Sequence, residues 1–209
     1  MSGPAPADPR ANPLTMLAAR AYVLLLHHPV YDKHRRVVAT AITNLDIHDI
    51  ARATRTFGLG GYFLATPIEA QRDLGRRIVG HWKEGYGAAR NERRKEALET
   101  VRIVADLEEA RAAVTAEAGA PPLVCATGAR AQGGVTEAQL LEEVRASGRP
   151  LLLVFGTGWG LADEILSGSD RVLRPIRGRG DYNHLSVRAA VAIMLDRLFG
   201  EARPASPGE

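Results

Sequence analysis

Short, continuous apolar runs recur along this chain, and each is followed by a stretch with helical spacing. That alternation constrains the fold more than any other feature. A run without polar alternation must be buried on both faces, which is the condition of a central strand in a parallel sheet. Residues 151–155 (Leu-Leu-Leu-Val-Phe) are the clearest case. Residues 21–27, 60–65, 100–105 and 123–127 read the same way, with 170–173 as a last short strand. Helices are predicted over 46–56, from Pro67 and Glu69 to about Trp82, over 107–118, from Thr136 to near Gly148, and over 185–199. In the first of these, Ile47, Ile50, Ala51 and Thr54 share one face. Asp46 and Asp49 fall near its start, where the helix dipole favours acids. Parallel strands need crossovers, so the chain is predicted to be α/β: a parallel sheet covered by helices, one domain over 20–200. Residues 1–19 and 201–209, rich in Pro, Ala, Ser and Gly, are expected to be disordered tails.

Several classes are excluded early. The single cysteine, Cys125, lies inside an apolar run, which rules out a disulfide framework and a cysteine-built zinc site and points to a core thiol. His27 and His28 are adjacent but have no third ligand at metal spacing, so no metal is expected. The first residues hold no apolar stretch before a cleavage-like site, and the longest apolar run, 22–26, is far too short to span a bilayer. A cytoplasmic protein without a membrane partner is the expectation.

Net charge is only +3, yet the cations cluster. Lys33, His34, Arg35 and Arg36 form one group, Arg72, Arg76, Arg77 and Lys83 a second, and Arg90, Arg93, Arg94 and Lys95 a third. Solvated helix faces account for any one group; three in the first half point to a polyanionic partner.

The glycines fall late. A dinucleotide-binding domain carries its glycine turn after the first strand, but here that strand runs into His27-His28-Pro29. A GxxxxGK[S/T] phosphate loop is also missing. Instead, Phe155-Gly156-Thr157-Gly158-Trp159-Gly160-Leu161 follows the most apolar strand, and Ile176-Arg177-Gly178-Arg179-Gly180-Asp181 precedes the last helix. Glycine lets backbone approach a ligand closely, and ligands of open α/β sheets sit at the carboxyl ends of strands. Two such loops predict a pocket walled by the C-terminal third.

Three ordered segments carry a resemblance. They are Asn44-Leu45-Asp46-Ile47-His48-Asp49-Ile50-Ala51-Arg52 with Thr56-Phe57-Gly58, then 153–161, then Pro175-Ile176 through Asp181-Tyr182-Asn183-His184-Leu185-Ser186-Val187-Arg188. Together they resemble the three motifs of the SPOUT methyltransferases over about residues 20–200, closest to a bacterial subgroup with a Tyr-Asn-His-Leu-Ser-Val-Arg run. The resemblance implies a C-terminal trefoil knot, S-adenosylmethionine (SAM) held in it, an RNA substrate (tRNA or rRNA) and a homodimer. Knots are rare enough that patterning alone would not suggest one. The chain departs from the family twice. Thr157-Gly158-Trp159 stands where many members carry a Glu, and His184 stands where an Asn is usual.

Roles follow from chemistry. Methyl transfer requires the methyl held near a nucleophilic N or O, a proton acceptor and exclusion of water. The cofactor candidates are Thr127, Phe155, Gly156, Thr157, Gly158, Gly160, Ile176, Gly178, Tyr182, Leu185 and Ser186. Arg52, whose guanidinium stays protonated, suits phosphate orientation or stabilisation of developing negative charge. Asp181 is the candidate base, His184 titrates in the useful range, and Asn183 could orient the target. Asn44, Lys33, Arg35, Arg36, Arg55, Arg76 and Arg77 are candidate RNA contacts. The alternative function is a non-catalytic RNA-binding module that keeps the fold.

Overall fold

The computed structural model describes residues 12–131, 133–180 and 182–201. In chain order they form α1 (Pro13–Ala19), β1 (Ala21–Leu26), β2 (Val30–Tyr31), β3 (Val37–Val38), α2 (Asn44–Thr56), β4 (Gly61–Ala65), α3 (Glu69–Lys83), α4 (Tyr86–Arg90) and α5 (Glu92–Glu99). There follow β5 (Val101–Val104), α6 (Leu107–Ala118), β6 (Leu123–Ala126), α7 (Glu137–Ser147), β7 (Leu151–Gly156), α8 (Asp163–Gly168), β8 (Arg171–Val172) and α9 (Val187–Phe199).

Six of the strands form one sheet in the order β5-β4-β1-β7-β6-β8, and all its pairings are parallel. The predicted α/β class is therefore correct. β1 and β7 lie at the centre, and β1 is buried along its whole length. Its side chains alternate between two cores, as a strand must. Ala21, Val23 and Leu25 pack on one face with Ile47 and Ile50 of α2, Leu140 of α7 and Leu195 of α9. Tyr22, Leu24 and Leu26 face Ala110 and Val114 of α6 and Leu161 on the other. Fully burying a Leu contributes about 1.5–3 kcal/mol, so these apolar runs drive the fold.

Helix limits follow local chemistry. The Asp106 side chain accepts from the Glu109 N–H to start α6, and Gly119 ends it in the left-handed region. Thr136 and Gln139 form a capping box at α7, which Gly148 closes. The predicted helix over 185–199 starts later, because Ser186 caps it and leaves Leu185 in the preceding loop.

The expected N-terminal tail needs correction. Residues 13–19 form α1, capped by the Asn12 side chain with Pro13 in its first turn, and Leu17 packs against the core. The β2–β3 hairpin, α4, α5 and α8 also went unpredicted.

The sheet reverses direction of growth at its centre. From β1 the chain builds outward through β4 and β5, then returns to lay β6, β7 and β8 on the other side. A crevice opens at the carboxyl ends of strands where order reverses.

Candidate functional site

A cavity of about 580 Å³ lies at that point. This is the size range of small-ligand sites. Its walls come from the loop after β6 (Thr127 to Ala131), the glycine turn after β7, Pro175, Ile176 and the segment entering α9. Tyr31, Arg35 and Thr40 of the hairpin and Thr43 and Asp46 at the start of α2 close the remaining side.

The glycine turn is shaped by close backbone approach. Gly158 has φ +57°, and a Cβ there would sit 2.8 Å from the Tyr31 carbonyl oxygen. A Cβ on Gly156 would meet Leu161 backbone and side chain at 2.8 Å. The turn is fixed by the Trp159 N–H donating to Tyr31 O (2.8 Å) and the Tyr31 N–H donating to Gly160 O (2.9 Å). The Thr157 hydroxyl meets that of Thr40 and donates to Leu26 O, binding the ends of β7 and β1 together. Thr127 turns inward likewise, its hydroxyl donating to Val154 O at 3.0 Å.

Behind this turn, His27 is fully buried. Its Nδ1 lies 3.0 Å from the Thr40 hydroxyl, while Nε2 has no partner. Burial pushes its pKa down to about 4, against the opposing pull of Asp46, so the ring is neutral at physiological pH. Cys125 is buried, and its thiol is pushed up to about 12, mainly by desolvation. That matches the inert core thiol expected.

The cavity wall also carries a charged group that the sequence did not single out. Asp46 is 5% exposed. Its Oδ1 accepts from Arg188 Nη1 at 3.0 Å, and its Oδ2 accepts from the Thr43 hydroxyl at 2.6 Å. Arg188 Nε lies 3.3 Å from Asp49 Oδ2. Two carboxylates one helical turn apart thus hold one guanidinium at the cavity edge, leaving donors of its fork unspent. The sequence shows acids at i and i+3 on α2 and an arginine just inside α9, but not that they meet.

At the mouth, Trp159 and His184 face each other with ring centroids 6.2 Å apart and planes at 43°. The Arg130 guanidinium lies 5.3 Å from the Trp159 centroid, and the Tyr182 ring lies 6.4 Å from His184.

Of the expected site residues, Thr127, Phe155, Gly156, Thr157, Gly158, Gly160, Ile176, Asn183, His184, Leu185, Ser186 and Arg35 all line the cavity. Asn183 also donates to Ala129 O at 3.4 Å, drawing two loops together. Gly178 and Tyr182 sit beside the lining, with the Tyr182 ring against His184. Asp181 lies outside the described residues. Arg52 is exposed on α2 and absent from the cavity wall. Asn44 lines a separate shallow groove with Arg77 and Trp82. Arg36, Arg55 and Arg76 pair with Asp32, Glu96 and Asp73, and Lys33 is exposed at the hairpin turn. Among the described residues, no cluster of three or more potential ligands could hold a metal, and no helix is long and apolar enough to cross a membrane.

An all-parallel α/β sheet with glycine-shaped loops around one cavity at its switch point defines a class of proteins that bind a small ligand there. The chain belongs to the SAM-dependent RNA methyltransferase family, whose match covers residues 20–200. It is similar to a tRNA (guanine-N(1)-)-methyltransferase from Nitratidesulfovibrio vulgaris, 47% identical over 183 residues, with 86% of this chain and 42% of that protein covered. The chain thus spans less than half the length of that relative. An uncharacterized protein from Aquifex aeolicus is 38% identical over 90% of this chain and 92% of its own. The fold is also that of the SpoU methyltransferase AviRb from Streptomyces viridochromogenes, solved with AdoMet, at TM-score 0.52 and 15% identity, covering 85% and 56% of the two chains.

The residues present fit SAM. The cavity has the volume, and the turn at Gly156 and Gly158, packed on Leu161 and Tyr31 with no room for a Cβ, lines it with backbone.

Proposed function

We propose that this chain binds SAM in the central cavity and methylates tRNA or rRNA. The single observation that carries the reading is the convergence of three loops, after β6, after β7 and before α9, on one cavity of about 580 Å³. Bound there, SAM supplies a methyl group on a sulfonium. The protein's own part is to orient and shield. Backbone groups of the turn at 156–160 and of Ile176 can hold the neutral adenine, and Phe155 and Leu185 offer apolar walls. Asn183 and His184 stand at the mouth, where an acceptor nucleotide would enter. The His184 imidazole offers a ring nitrogen that can accept a proton at that position. Asp181, adjacent in sequence, is the other candidate base. Gly178, Tyr182 and Ser186 complete the cofactor side of this proposal.

We further propose a trefoil knot formed as the segment after β7 returns to α9, which the order β1-β7-β6-β8 supports. A second copy of the chain would bring an exposed Arg52 and Asn44 to a partner's site, in the cytoplasm. The acceptor atom, a guanine nitrogen or a ribose oxygen, follows from the RNA bound.

Incubation with methyl-labelled SAM and total bacterial RNA, followed by nucleoside mass spectrometry, tests the reading. Label in one modified nucleoside is the expected result. SAM binding without transfer to any RNA would favour the non-catalytic module.

A further inference from the structure

Trp159 is 47% exposed although it belongs to the turn that shapes the cavity, and Tyr182 (81%) and Leu185 (44%) are exposed beside it. Large apolar side chains gathered at one rim mark a contact surface rather than scattered exposure. Cations stand around them: Arg130 lies against Trp159, and Arg177 and Arg179 are exposed on the adjoining loop, while Arg35 on the cavity wall is paired with Asp163. Aromatic faces interleaved with guanidinium groups are how proteins hold unstacked bases of single-stranded RNA.

We infer that Trp159 and His184 form the two jaws of a clamp for one unpaired nucleobase of the RNA, with Arg130 holding the adjacent phosphate or backing the Trp159 ring. This rests on RNA being the substrate proposed above. A planar base held between two rings needs about 3.5 Å to each, or roughly 7 Å between them. The present separation is 6.2 Å, with the planes opened to 43°. The jaws therefore form a wedge that needs to widen by about an ångström, using the same spacing. His184 is on the side able to give, because residues 182–186 form no regular secondary structure. Trp159 is held, since its N–H donates to Tyr31 O, Gly160 is bonded to Tyr31 and Thr157, and Gly158 packs closely on Tyr31 O. A fixed jaw and a movable jaw suit a base that must be splayed out of its strand before it is methylated. Duplex RNA, whose bases are stacked and paired, cannot enter the wedge.

The test uses the full-length protein, saturated with S-adenosylhomocysteine, and a fluorescein-labelled 12-nucleotide single-stranded RNA of mixed sequence. Binding is measured across a salt series, with the same sequence as a duplex for comparison. Trp159→Ala is expected to weaken single-strand binding roughly ten-fold, the range of one lost base–ring stack. The slope of log K against log salt should stay unchanged, because no charge is lost. Trp159→Phe should recover most of the affinity. Arg130→Gln should instead lower the slope by about 0.7. SAM affinity, read by calorimetry on the same variants, separates the clamp from the cofactor wall that Trp159 and Arg130 also line: in Trp159→Ala and Arg130→Gln, RNA affinity should fall by the larger factor. Unaltered RNA binding in Trp159→Ala, or a preference of the parent protein for duplex, overturns the clamp. So does a variant that loses SAM but keeps RNA, which would return the ring to the cofactor cavity. A parent protein that binds SAM but no single-stranded RNA sinks the clamp alone, whereas one that binds RNA but no SAM sinks the methyltransferase reading and leaves the clamp standing.

Discussion

The two halves of the sheet differ in how their strands end. On the β4–β5 side, residues 66–68 carry β4 into α3, and residues 105–106 carry β5 into α6. On the other side, residues 127–136 separate β6 from α7, 157–162 separate β7 from α8, and 173–186 separate β8 from α9. Both halves are parallel, helix-covered and well buried, so the difference lies in their loops. Tight turns satisfy the backbone and leave no concavity; long glycine-bearing loops enclose one. The cavity lies mainly with the long loops and the β2–β3 hairpin, closed by the start of α2 and by α9, while the second and third basic clusters lie on α3 to α5 of the other half. One half handles a small ligand, and the other offers charge at a distance.

The junction of the halves is the place to break this division, and acid breaks it most strongly. His27 stands at the end of β1 with its pKa lowered to about 4 by burial. The unfolded chain takes up its proton near pH 6.5, and the folded chain only near 4. Stability from the neutral ring is therefore full above 6.5 and is lost as pH falls toward 4, by about 3 kcal/mol in all. Urea denaturation at pH 7, 6, 5 and 4 should show that loss, and His27→Gln should flatten the profile by about one proton. An unchanged slope in the variant would show that other groups set the acid response.

Next in size is the Asp46–Arg188 pair. Arg188→Gln leaves Asp46 with one neutral partner in a buried place. Its cost should be about 2 kcal/mol, below the 3–5 kcal/mol typical of a fully buried pair because Arg188 is partly exposed. With Asp46→Asn, a double-mutant cycle should give a coupling of about 1 kcal/mol. Additive effects would mean that the pair is incidental.

Glycines sharpen the comparison directly. Gly158→Ala pushes a Cβ toward Tyr31 O at a positive φ. SAM affinity should fall roughly ten-fold or more, about 1.4 kcal/mol, in a titration. Gly119→Ala, also at positive φ but with open space around it, should cost about 1 kcal/mol of stability and leave SAM binding alone. Equal loss of SAM binding in both would erase the distinction between the halves.

The smallest effect is expected at the far cluster. Arg77→Gln should weaken RNA binding evenly across sequences and reduce the salt slope by about 1, with no change in SAM affinity.

Much of this was legible in the chain, for reasons that can be named. The runs 151–155 and 123–127 had to be central strands, because they carry no charge and Thr127 is their one hydroxyl, and they hold β7 and β6. The limits of α6 and α7 were local events at Asp106, Gly119, Thr136 and Gly148, so they fell where expected. The glycine turn after β7 and Ile176 of the later glycine loop line one cavity, whereas Gly178 and Gly180 are not in its walls and their loop follows the edge strand β8. What could not be read depended on partners distant in sequence. The two-residue strands of the hairpin carry no periodicity, and their position over the cavity rests on bonds between Tyr31 and residues 159 and 160. Asp46 looked like a helix-start acid until Arg188 was brought beside it by the packing of α9 on α2. Trp159 read as part of a glycine turn, and only its exposure and its neighbours His184 and Arg130 give it a surface role.

Titration calorimetry of SAM into the purified protein, beside Gly158→Ala and Arg77→Gln, bears most directly on the whole account. One site per chain with a dissociation constant in the micromolar range or tighter, weakened at Gly158 and untouched at Arg77, is the predicted result. No binding to the parent protein, or a loss that follows Arg77 instead, would contradict it.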